Sequence, residues 1–98
     1  MAKRNPQQQN KHDTKVKQIA QKLLREGWNV RADIPGYDQP GPIGKNNQIP
    51  DIQATKKGAE QIIEVETKET MESDKEQHAT FSRRADHKPK TTFKIEEV

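Results

Sequence analysis

Cysteine is absent from the chain, so neither a disulfide framework nor thiolate zinc ligation is open to it. There is also no long apolar run, which leaves no secretory leader and no transmembrane helix to expect. A soluble cytoplasmic protein with no membrane partner is the expectation. Aromatic residues are scarce, at 4%, and hydrophobic residues of all kinds reach only 28% against 34% charged. A chain this polar approaches the limit below which too little apolar surface can be buried to fold. Its apolar residues are clustered and periodic, however, and 98 residues suffice for one modest core.

What charge there is lies unevenly. Residues 1–49 carry nine Lys/Arg against four Asp/Glu, a balance of +5, while residues 50–98 carry nine against eleven, or −2. A basic front and an acidic rear suit a protein that meets a polyanion on one side and binds cations on the other. A solvated surface with chance imbalance is the plainer reading of the same numbers. Residues 1–12 lack an apolar pattern and read as a flexible basic arm, in which Lys3 and Arg4 are placed to touch phosphates.

A folded domain is expected over residues 13–98. Val16, Ile19, Ala20, Leu23 and Leu24 recur at helical spacing, with Asp13 as N-cap and Gly27 just past the C-terminus. Trp28, Val30, Ala32 and Ile34 then alternate as a strand, with Trp28 as a core anchor rather than a base-stacking platform. Pro35 to Gln48 is a loop rich in Pro, Gly and Asn, of a length usually functional or mobile. Tyr37 and Lys45 within it have a ligand contact or plain packing and exposure open to them.

The organising stretch is Ile49 to Lys68. Ile52 and Ala54 alternate with Asp51 and Gln53, and Ile63, Val65 and Thr67 with Glu64, Glu66 and Lys68, around a Lys57-Gly58 turn. This is a β-hairpin whose second arm puts Glu64, Glu66 and Lys68 on one face, with Asp51 within reach. Carboxylates and an ammonium converging there are the minimum needed to hold a divalent cation against a phosphodiester and activate a water. Glu64 is placed to share such a cation. Ser73 and Glu76 form a capping box for a second helix over about Asp74 to Ala85, which ends in Arg83 and Arg84. Those arginines suit either the helix C-terminal dipole or a nucleic-acid backbone. Thr91 to Val98 closes the chain as a strand. His78 and His87 have neither the spacing nor the companions of a zinc site.

Helix, three strands, helix, strand, with Pro50-Asp51 opening the second strand and Glu66-Thr67-Lys68 ending the third, resembles the PD-(D/E)xK nuclease superfamily, to which restriction endonucleases and Holliday-junction resolvases belong. The resemblance implies an α/β fold with a restriction endonuclease-like αβββαβ core, a small and mostly antiparallel mixed sheet flanked by helices. It implies Mg2+ or Mn2+ on Asp51 and Glu66, with the Thr67 carbonyl as a third ligand and Lys68 assisting the attacking water. The family often adds a Glu in the first helix; that register holds Val16, so Asp13 and His12 are the stand-ins, and the metal count stays open. Gln77 matches a polar residue early in the second helix. The implied function is metal-dependent hydrolysis of DNA phosphodiesters, with DNA as partner, Lys45, Arg83 and Arg84 as backbone contacts, and a homodimer to reach both strands. The alternative is a catalytically degenerate module of the same fold that binds nucleic acid or a partner protein.

Overall fold

A computed structural model describes residues 6–71 and 73–98. Lys3 and Arg4 therefore lie outside the described residues. The elements are α1 (Pro6–Arg25), β1 (Asn29–Ala32), β2 (Ile52–Lys56), β3 (Ala59–Glu66), α2 (Lys68–Met71), α3 (Lys75–His87) and β4 (Thr91–Glu97). The strands form one sheet in the order β1-β2-β3-β4; the first three are antiparallel and β4 runs parallel to β3. The α/β class and the mixed, mostly antiparallel sheet are as the sequence led us to expect.

The helix α1 starts at Pro6, so residues 6–12 are helical rather than part of an arm. Proline at the first helical turn costs nothing, because its missing N–H has no intrahelical partner there, and the glutamines that follow are good helix formers. Asp13 is thus well inside the helix and caps nothing. The other end is as read. Gly27 takes φ 90°, Gly27 N donates to Leu24 O at 3.1 Å and Trp28 N to Leu23 O at 3.0 Å, a Schellman motif that turns the chain straight into β1.

Lys56 pairs with Ala59, which leaves Lys57 and Gly58 as a two-residue loop, both at positive φ (49° and 84°). That is the type I′ geometry matching the twist of a hairpin. Period-2 alternation then sorts β3 between two layers. Ile63 and Val65 face α1 and pack with Val16, Ala20, Leu23, Ala32, Ile52 and Ala54. Ile62 faces α3 and packs with Ile43, Phe81 and the half-buried Phe93. Glu64 and Glu66 share that second face.

The helix α3 is held down mainly by Phe81, its one fully buried residue. The capping box expected at its start does not form. Asp74 occupies the cap position but its side chain makes no capping hydrogen bond to the helix, and the Ser73 hydroxyl donates instead to Thr70 O at 3.1 Å. No described helix is long and apolar enough to cross a membrane.

A candidate metal centre beside a basic cleft

Strand β3 carries the acidic groups inward. Glu64 is 2% and Glu66 0% exposed, and burying carboxylates is costly unless hydrogen bonds or counter-charges compensate. Glu66 receives the Thr70 hydroxyl on Oε2, and His78 Nε2 lies 3.0 Å from its Oε1. Glu64 Oε1 accepts the backbone N–H of Asp51 at 2.8 Å, and Asp51 Oδ2 in turn accepts the N–H of Val65 at 2.8 Å. Asp51, just ahead of β2, is thereby stitched to β3 in both directions. On its other side His12 Nε2 is 3.2 Å from Asp51 Oδ2, and His12 Nδ1 is 3.0 Å from Asp13 Oδ1.

One atom each from Glu64, Glu66 and His78 lie within 4.8 Å of one another, a set able to hold a metal ion. Electrostatics agree with the geometry. Burial, then the charge of Asp51, push the Glu64 carboxyl up to about 10; the Asp51 N–H bond opposes them, while Glu66 and Asp74 add to the rise. At neutral pH Glu64 therefore keeps its proton until another cation displaces it. A cleft of about 560 Å³ reaches this group, with His12, Asp33, Asp51, Glu64, Asp74 and Gln77 in its walls.

Of the residues expected from the sequence, Asp51, Glu66, Asp13 and Gln77 are in or beside this site, but not all in the expected roles. The Asp51 carboxylate is turned to Val65 N and His12, and the donor completing the set is His78 of α3. His78 was set aside in the sequence for want of companions, and Glu64 was only a sharer; here both are central. Gln77 Nε2 donates to Ile49 O at 3.2 Å, so it tethers the 46–50 loop as well as lining the cleft.

Lys68 is elsewhere. Strand β3 stops at Glu66 because Thr67 caps α2: Thr67 Oγ1 accepts Thr70 N at 3.3 Å while Thr70 Oγ1 accepts Thr67 N at 3.0 Å. This reciprocal pair is a capping box with threonine at both ends. It takes Lys68 out of strand register and leaves it exposed as the first residue of α2. The Thr67 carbonyl is likewise committed to α2, accepting Met71 N at 3.0 Å.

Lys45, Arg83 and Arg84 do come together, in a second cleft of about 540 Å³ that also includes Thr80 and His87. Arg84 is pinned from below: its Nε and Nη2 donate to the two Glu60 oxygens at 2.9 and 3.2 Å. Burial pushes the Glu60 carboxyl up, but the bonds from Arg84 and Gln53, with the charges of Arg84 and Lys88, outweigh it and hold it below its ordinary value.

Compared with family models, curated proteins and solved structures, the chain matches none.

Proposed function

We propose that the chain is a divalent-metal-dependent hydrolase of nucleic-acid phosphodiesters, with a core of the restriction endonuclease-like kind. The observation that carries this reading is the convergence of Glu64, Glu66 and His78, with Glu64 lining a cleft whose neighbour is basic. The order of elements, with β4 parallel to β3 behind α3, supports the same reading. The donor set fits a cation: two carboxylates and an imidazole suit Mn2+ or Mg2+, and the nitrogen donor favours Mn2+ of the two.

A cation bound there supplies Lewis acidity and a water of lowered pKa. The residues of the chain supply the rest. Glu64 and Glu66 provide charge, and His78 both holds Glu66 and offers a ligand nitrogen. Thr70 fixes the Glu66 rotamer through its hydroxyl, and Asp51 aims Glu64 through its backbone N–H. Gln77 keeps the loop wall of the cleft in place. His12, bridging Asp51 and Asp13 at the cleft wall, is the group best placed to move a proton, in the role that the resemblance gives to Lys68. DNA is the proposed substrate, cut on both strands by a dimer.

The test is single-turnover cleavage of junction, flap and linear DNA with Mn2+ or Mg2+. Wild type should cleave at least one, and Glu66→Gln should lower the rate by roughly 10² or more, as when one stabilising group of a phosphoryl-transfer site is lost. The exposed position of Lys68 favours a second reading, a degenerate module that binds nucleic acid without cutting it. Wild type that cleaves none of the three substrates decides for that module.

A further inference from the structure

The two clefts share a wall. Asn46 lines both, at the tip of a turn that begins at Gly44 and is closed by the Ile43–Gln48 bridge. The turn is pressed on α3: a Cβ built on Gly44 would lie 2.7 Å from Thr80 Cγ2, and Gly44 takes φ +76°. The wall is therefore built rather than loose. On one side of it the lining is acidic, with Asp33, Asp51, Glu64 and Asp74. On the other side no carboxylate among the described residues lines the cleft, and Lys45 and Arg83 are exposed and make no ion pair with a described residue.

We propose that the basic cleft seats a backbone phosphate of double-stranded nucleic acid, held by Lys45 and Arg83, and that the strand runs from it across Asn46 to the acidic cleft. This rests on the reading of the acidic cleft as a phosphodiester hydrolase site, and it adds where the substrate lies and in what form. The form follows from the aromatics. Proteins that hold single strands stack bases on exposed rings. This chain has four Phe, Trp and Tyr residues, and all four pack on the two cores: Trp28 and Tyr37 beside α1, Phe81 and Phe93 beneath α3. No Phe, Trp or Tyr ring lines either cleft, so recognition there is by phosphate charge, and the duplex presents more of that charge per unit length. Arg84 is not a contact. Its guanidinium is spent on Glu60, and its part is to hold the floor of the cleft.

The two arginines make the test sharp, because they carry the same charge one residue apart. Binding of a labelled 20-base-pair duplex and of its single strand is measured in EDTA across a range of salt. Lys45→Gln and Arg83→Gln should each weaken duplex binding about fivefold to tenfold near 0.1 M salt and flatten the salt slope by about one. Both should unfold at the wild-type temperature. Arg84→Gln should leave the salt slope unchanged while lowering the unfolding temperature. Slopes that fall equally for all three variants, or for none, overturn the proposal, as does single strand or polyglutamate binding as tightly as duplex. EDTA separates this from hydrolysis: a wild type that never cleaves but gives the stated slopes keeps the seat and loses the enzyme. Normal metal-dependent cleavage with unaltered slopes does the reverse.

Discussion

Replacing Glu64 by Gln keeps its shape, keeps an oxygen for the Asp51 N–H, and removes only the ability to ionise. The effect on stability follows from where the proton sits. Glu64 has an ordinary value of 4.5 and a folded value raised to about 10. Between those limits the folded protein holds a proton that the unfolded chain has released, so stability is lost as pH rises through the window. The stabilising contribution is fully present below about 4.5 and gone above about 10. One titrating group changes stability by about 1.4 kcal/mol per pH unit, so wild type should lose about 3 kcal/mol relative to Glu64→Gln between pH 6 and pH 8. That is a large share of the roughly 5–15 kcal/mol typical of a domain. Urea unfolding of both proteins without divalent ions, at half-unit pH steps, reads it directly, and taking the difference cancels every other titrating group. The same proton must leave when a metal arrives. Calorimetry of Mn2+ binding in two buffers of different ionisation enthalpy should show about one proton released by wild type and no binding by the variant. Parallel stability curves for the two proteins would refute the reasoning, since Glu64 would then ionise alike folded and unfolded.

Arg84→Gln should cost about 1–3 kcal/mol at neutral pH, because it leaves the buried Glu60 carboxylate without its bidentate partner. Glu60 is held below its ordinary 4.5, so its stabilisation is present above that pH and lost as pH falls through the folded value. Acid unfolding of the variant should accordingly be less steep than that of wild type. Lys68→Ala should change single-turnover cleavage by no more than about twofold, since Lys68 is exposed on α2 and lines neither cleft; a hundredfold loss would return it to the mechanism that the resemblance implies. Gly44→Ala should destabilise by about 1–3 kcal/mol in thermal unfolding, from positive φ and from the Thr80 methyl. Adding Thr80→Ser should recover only the part due to the methyl.

The hairpin was readable because two signals agreed: alternation in both arms, and Lys57-Gly58 where a two-residue turn needs positive φ. The apolar stripe from Val16 to Leu24 fixed α1 but not its start, because the first turns carry glutamines and the buried His12, none of which reads as hydrophobic. At the site, Asp51 and Glu66 were legible as hairpin carboxylates. His78 was not, for its companion Glu66 lies 12 residues earlier and meets it only after α3 folds back over the sheet. One signal was there to find: His78 is three residues before Phe81, so the face that buries the ring must also bury the imidazole. Lys68 erred the other way. Strand alternation was carried two residues too far, into a Thr-Lys-Glu-Thr segment that caps a helix instead.

Strand β4 pairs with β3 over seven registers, from Glu60–Thr91 to Glu66–Glu97, and has no neighbour on its outer edge among the described strands. It is therefore, like β1 at the other end, an edge of the sheet open to unpairing from one side only, and α3, which packs on it, would lift away together with it. The donor set is divided across that seam: the two carboxylates stay with the hairpin, and His78 departs with α3. A ligand that bridges a seam closes it, so occupancy of the acidic cluster and closure of the outer strand are one equilibrium seen from two ends. Amide hydrogens from Thr92 to Glu96, which touch no ligand atom, would then exchange more slowly in proportion to the tightness with which the cluster is filled.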